Sequence, residues 1–246
     1  MVITGGVKGM SSMCSKERKK QLTTDLLIIV ITMAVVLVLV VGVWGSGLNR
    51  FASDQTKNIV LRVAVIGICC QYGLAGLGLT IVCLIRREKY TQFGLTTKKI
   101  VPAVLLSLAC CIPDFIYCFV RGKVHAWCPF WDVNTTPEVL SSAFPYNILA
   151  FLITAVCWGF FEGFNYVVIR DKLSEMYPSK HRFWDWGAFV CAIMCILVHG
   201  AVGVTPDALI EMVTTIILIY GMLIVRKETG NAWGCIAIFF VYWNAL

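Results

Sequence analysis

The stretch NILAFLITAVCWGFFEGFNYVVI, residues 147–169, sets the reading of the whole chain. Apart from Glu162 it carries no charge, and it is long enough to cross a bilayer, which takes about 20 mostly apolar residues. A carboxylate inside such a segment is costly and marks a functional site by default. About eight residues at ~1.5 Å rise put Glu162 ~12 Å from the Arg170 end, too deep for its side chain to reach the interface. Asn165 and Tyr166, three and four positions on, share its helix face. The next apolar segment brings His199, and the last ends in Asn244. Glu162, His199 and Asn244 are therefore the candidates for chemistry. The structural alternative is a Glu162 that only hydrogen-bonds a neighbouring helix.

Working outward, 59% of the 246 residues are hydrophobic and 14% charged, and the mean hydropathy is +0.80. That balance excludes a water-soluble globular domain. Apolar runs at 25–46, 59–85, 100–120, 147–169, 184–204, 208–225 and 232–246 predict an all-α polytopic bundle of about seven transmembrane helices. The chain divides into a basic tail over 1–24, three accessory helices over 25–120, a loop over 121–146 and a four-helix core over 147–246. Pro129, Pro137 and Pro145 punctuate that loop. The first run is longer than the apolar part of a cleavable signal and follows a polar tail, so it reads as a retained signal anchor.

Basic residues set the orientation, because Lys and Arg stay preferentially on the cytoplasmic side. Lys8, Lys16, Arg18, Lys19 and Lys20 lie in the tail. Arg86, Arg87, Lys89, Lys98 and Lys99 lie in the second connection, Arg170, Lys172, Lys180 and Arg182 in the fourth, and Arg226 and Lys227 in the sixth. The alternate connections are poorer, with Arg50 and Lys57 in one and Arg121 and Lys123 in another. An N-terminus inside and a C-terminus outside satisfy the pattern. The net charge of +7 then reflects topology, and nucleic acid is not an expected partner.

Ten of the twelve cysteines fall in apolar runs, where they act as small hydrophobes. Cys14 and Cys128 lie outside them, on opposite faces, and no CxxC spacing suggests a metal. Gly73, Gly76 and Gly78 predict a close helix contact. Asn134-Thr135-Thr136 fits a glycosylation acceptor by chance, and Trp127, Trp131, Trp184 and Trp186 read as interfacial aromatics. Arg62, Asp114, Asp207 and Glu211 sit near predicted span ends, where side chains snorkel to water.

In this order the residues resemble the CPBP family of intramembrane proteases, which includes CAAX prenyl endopeptidases and bacteriocin-processing enzymes. The resemblance covers roughly the last hundred residues. The family's first motif, two glutamates followed four places later by an arginine, falls on Phe160 to Val167 and keeps Glu162. Gly163 stands at the second glutamate, Val167 at the arginine, and Arg170 comes three residues late. The second motif, an aromatic or apolar residue four before a histidine, is matched by Cys195 and His199, without the aromatic. The third, a histidine four before an asparagine after a Gly-x-x-Trp turn, falls on Gly230 to Trp233 and on Phe240 to Asn244, with Phe240 at the histidine.

The resemblance implies an endopeptidase that cleaves membrane-associated or lipidated peptides. Glu162 would activate water as general base, His199 would orient that water or ligate a metal, and Asn244 would donate to the oxyanion. Two versions stay open: a zinc ion on Glu162 and His199, or a metal-free glutamate mechanism. Zinc ordinarily takes three protein ligands plus water. The expected setting is the plasma membrane of a prokaryote, with lipid and a membrane-associated peptide or protein as partners. Two other classes remain: an inactive relative with a binding, immunity or scaffold role, and a small transporter with Arg62, Asp114, Glu162 and Glu211 along one path. Ideal untilted spans would leave Glu162 and His199 roughly 10 Å apart in depth, a gap that helix tilt reduces.

Overall fold

The computed structural model describes residues 15–199 and 203–245, and every regular element among them is helical. Five helices are long and apolar enough to cross a membrane: α1 (Lys16–Ser53), α2 (Ile59–Arg86), α3 (Ile100–Val120), α5 (Tyr146–Met176) and α7 (Pro206–Thr229). A short helix α4 (Thr136–Ser141) precedes α5. The remaining two apolar runs form shorter helices, α6 (Trp186–Val198) and α8 (Trp233–Trp243). The 13 residues of α6 span only ~20 Å, less than a ~30 Å hydrocarbon core. Where about seven spans are expected, five helices among the described residues are long and apolar enough to cross, and the other two apolar runs form shorter helices.

Local chemistry fixes several of these ends. Helix α1 starts at Lys16, nine residues before the predicted span, because the Ser15 hydroxyl accepts from the Arg18 N–H at 3.2 Å and Lys, Arg and Glu are good helix formers. Much of the predicted tail is therefore helix, while residues 1–14, Cys14 among them, lie outside the described part. Helix α6 opens on Asp185, whose carboxylate accepts from the Ala188 N–H at 2.9 Å, and α7 closes on Gly230 at φ +71°, a conformation that favours glycine. A turn at Cys110 and Cys111 interrupts α3 just before Pro113, which cannot donate to a helix.

Burial separates lipid-facing from core helices. The most apolar window of the chain, in α1, buries just 6% of its residues inside the protein, and Leu27, Ile31, Val38 and Val41 point outward. Only a hydrocarbon solvent makes such a helix stable. Helix α5 is the opposite case: every residue from Glu162 to Arg170 is buried. It runs through a core with Cys191 and Cys195 of α6, Leu218 and Met222 of α7, and Ile236 and Phe239 of α8. Helices α1 and α2 meet where expected: a Cβ on Gly78 would lie 2.8 Å from the Ile29 Cα, so only glycine permits this approach.

Ion pairs gather the basic connections at one end of the bundle. Lys172 Nζ lies 3.0 Å from Asp25 and 2.7 Å from Glu88, and Arg86 lies 2.7 Å from the other Asp25 oxygen. Arg170 meets Asp185 at 2.5 Å and Arg226 meets Asp171 at 2.8 Å. At the opposite end Arg121 pairs with Asp207 at 2.9 Å and Lys123 with Glu211 at 3.0 Å.

The snorkelling expectation fails for two residues. Arg62 is 1% exposed, with Glu138 and the Ala52 carbonyl as partners. Asp114 accepts from the Thr214 hydroxyl at 2.8 Å and the Tyr242 hydroxyl at 2.7 Å. Neighbouring helices supply these partners, which single spans lack, and the buried Arg62 Nε alone makes no hydrogen bond among the described residues. The 121–146 connection is likewise no solvated loop. Phe130 is fully buried and packs on Phe151 and Phe240, with ring centroids at 5.6 and 5.4 Å.

Candidate functional site

Three π-helical segments converge on one point. Such segments add a residue to the turn, put side chains out of register and recur at functional sites. Residues Gly67–Leu77 of α2 carry Gln71, Ala155–Phe161 of α5 lead directly into Glu162, and Phe239–Trp243 of α8 lead into Asn244. Gln71 donates its Nε2–H to one Glu162 oxygen at 2.7 Å. The other oxygen lies 3.7 Å from His199 Nε2. His199 itself closes α6, its N–H bonded to the Cys195 carbonyl at 3.0 Å, and its ring stands edge-on to Trp243 with centroids 5.2 Å apart.

Asn244 lies close to the same carboxyl and gives one amide N–H to the Phe239 carbonyl at 3.2 Å. The turn that carries it is clamped by the 127–132 segment. Trp127 Nε1 donates to the Val241 carbonyl at 2.8 Å, the Cys128 N–H to the Ala245 carbonyl at 3.2 Å and the Asp132 N–H to the Asn244 carbonyl at 3.4 Å. A tryptophan expected at the interface is thus part of the support of the site.

The structure brings all three sequence-derived residues together and closes the anticipated depth gap. Eight residues of α5 separate Arg170 from Glu162, roughly 12 Å, whereas fourteen separate its partner Asp185 from His199, roughly 21 Å. The 3.7 Å approach of the two side chains shows that the difference is absorbed. The group faces a cavity of about 220 Å³ whose walls include Gln71, Glu162, Asn165, Tyr166 and His199. Asn165 is 7% exposed and its Oδ1 is buried with no hydrogen-bond partner among the described residues. A buried amide oxygen left open is an acceptor awaiting a donor.

Gln71 escaped the sequence reading. Its signal was available, as an amide inside the apolar run 59–85, but a neutral side chain there is cheap compared with a charge. Helices α1 and α2, expected to be accessory, both line the cavity through Met33 and Gln71.

The motif departures have steric counterparts. A Cβ at Gly163 would lie 2.8 Å from the Ile236 Cα and 2.9 Å from the Cys235 oxygen, so no side chain fits where a second glutamate is expected. Val167 is fully buried in the core. The Phe240 ring fills the space over Gly159 and meets Phe130 edge-to-face. Arg170 is held by Asp171 and Asp185, away from the cavity.

The donor set does not fit zinc. Glu162 and His199 supply two ligands, Gln71 uses its N–H on Glu162, and no three His, Cys, Asp or Glu side chains converge among the described residues. No step is therefore routed through a metal. Of the residues considered for a transporter path, Asp114 and Glu211 line a cavity of about 230 Å³, Glu162 lines another, and Arg62 faces Glu138.

Comparison with protein-family models, with curated proteins and with solved structures finds no match to the chain.

Proposed function

We propose that the protein is an intramembrane endopeptidase of the CPBP type, cutting membrane-associated or lipidated peptides without a metal. It is a plasma-membrane protein of a prokaryote in this reading, with seven crossings, α6 and α8 as the short ones, and a cytoplasmic N-terminus. The observation that carries the proposal is the Glu162 carboxylate, one oxygen anchored by Gln71 and the other 3.7 Å from His199 Nε2 at the wall of a cavity. A water between Glu162 and His199 is the nucleophile. Glu162 takes its proton as the water attacks the peptide carbonyl, and returns that proton to the leaving amine. The second amide N–H of Asn244 donates to the oxyanion, and the open Asn165 oxygen accepts a substrate N–H.

Cleavage of a membrane-tethered peptide library by the purified protein tests this. The parent should cut, and Glu162→Gln, which keeps shape but cannot accept the proton, should lower the rate by about 10² or more. A parent that is inactive both with and without added zinc overturns the proposal.

Gly163 and Phe240 favour a second reading, a binding protein that keeps the fold without catalysis. It requires no cleavage by the parent and a Glu162→Gln variant at least as stable, because an uncharged amide replaces a buried carboxyl.

A further inference from the structure

A second, larger cavity of about 650 Å³ lies along the same seam as the Glu162 cavity. Three helices show the continuity, one after another. On α1 the Glu162 cavity takes Met33 and Leu37 and the larger one takes Val40 and Val41. On α2, Leu74 and Gln71 belong to the first and Cys70 and Ile66 to the second. On α5, Tyr166 and Glu162 belong to the first and Trp158, one turn back, to the second. Residue numbers rise along α1 and fall along α2 and α5, as antiparallel neighbours require. The two cavities are stacked along one seam, and Asn49, Asp132 and Asn134 line the outer end of the larger one.

The wall chemistry is polarised. Valines, Ile66 and Trp158 line the part next to Glu162, while the far end carries Asp132, whose carboxylate has no ion pair or hydrogen bond among the described residues. From Met33 to Ala52 the seam runs roughly 28 Å, the reach of about eight extended residues. An apolar groove with an unpaired carboxylate at its mouth complements an apolar chain that ends in a cation.

We propose that the larger cavity is a substrate subsite, holding the apolar stretch of the peptide beside the reacting bond and setting one of its Lys or Arg residues against Asp132. The proposal rests on the endopeptidase reading for the identity of the occupant as a peptide. It places entry to the site at the end of the bundle that carries the 132–135 segment. The Asp132 N–H already holds the Asn244 carbonyl, so the same residue touches both the subsite and the turn of the oxyanion donor.

Binding is measured with the full-length protein in phosphatidylcholine nanodiscs, by fluorescence anisotropy of a labelled nine-residue apolar peptide with one terminal Lys and of its twin with Glu there. Glu162→Gln is used beside the parent so that cleavage does not consume the probe. The Lys peptide should bind about fivefold tighter than its twin, the upper range for one partly exposed ion pair. Asp132→Asn should equalise the two, and Asn49→Trp, which fills an exposed part of the groove, should weaken both while the thermal melt stays unchanged. Equal binding of the twins to the parent, or a preference that survives Asp132→Asn, overturns the subsite. Lys preference without cleavage by the parent removes the protease reading and keeps the subsite. Cleavage without the preference does the reverse.

Discussion

Gln71 and Glu162 come from different helices, yet the amide Nε2 of the first lies 2.7 Å from a carboxylate oxygen of the second. That bond fixes the rotamer of Glu162 and leaves its other oxygen turned to His199. Gln71→Leu should keep the helix and remove the donor, so turnover should drop by about tenfold or more while stability falls by only about 1–3 kcal/mol. Peptide cleavage and thermal melting in detergent check both. Unchanged turnover would show that Gln71 does not position the base.

The Asp25 and Lys172 pair predicts the opposite balance. Their side chains are 1% and 3% exposed, and Arg86 and Glu88 complete the group. Lys172→Met strands buried carboxylates and should cost about 3 kcal/mol, with Asp25→Asn in the same background recovering part of it. Cleavage per folded molecule should not change, since the group sits at the far end of α5 from Glu162. A Lys172→Met protein that melts like the parent would contradict this.

How much of this was legible in the sequence differs residue by residue. Glu162, His199 and Asn244 stood out because each is polar at the depth or end of an apolar run, and the structure places them together. Gln71 did not, since a neutral amide leaves hydropathy almost untouched. The internal pairing of Arg62 and Asp114 was hidden for another reason: a charge near a span end reads as solvated until the tertiary partner is known. Helix lengths differ from the apolar runs at two ends: the Ser15 cap starts α1 early, and α6 stops at Val198, short of the expected 204. The convergence of π-helical turns has no sequence pattern at all, because it depends on which neighbour fills the widened turn.

Gly163 gives a steric test of the family motif. Its missing Cβ is replaced by the α8 backbone, with the Ile236 Cα at 2.8 Å from where that Cβ would be. Gly163→Ala should destabilise by about 1–3 kcal/mol through overpacking, and Gly163→Glu should melt lower still without raising activity. A more active Gly163→Glu would mean that α8 moves aside readily.

Orientation is open to a direct measurement. Residues 15–24, the 86–99 connection, the 170–182 connection and Lys227 lie at one end of the bundle through the Asp25, Asp171 and Asp185 pairs, and the 121–135 segment lies at the other. Reporter fusions at Lys89 and Lys227 should report the cytoplasm and one at Asn134 the outside, because Lys and Arg are concentrated at the former end. A cytoplasmic Asn134 reporter would reverse the assignment.

His199 and Asn244 should differ in what they lose. Among the described residues His199 makes no side-chain hydrogen bond, only the 3.7 Å approach to Glu162 and the edge contact to Trp243. His199→Ala should therefore cost about 10² in turnover with little change in melting temperature. Asn244→Ala loses the bond to the Phe239 carbonyl as well as the donor to the oxyanion, so it should melt lower, by about 1 kcal/mol, and lose less than 10² in turnover because other donors remain. Asn244→Asp separates the two roles: it restores a side chain of the same size but places a second carboxylate beside Glu162, and turnover should fall further than with alanine. If His199→Ala keeps full turnover, the imidazole has no part in water activation and Glu162 alone must carry the base.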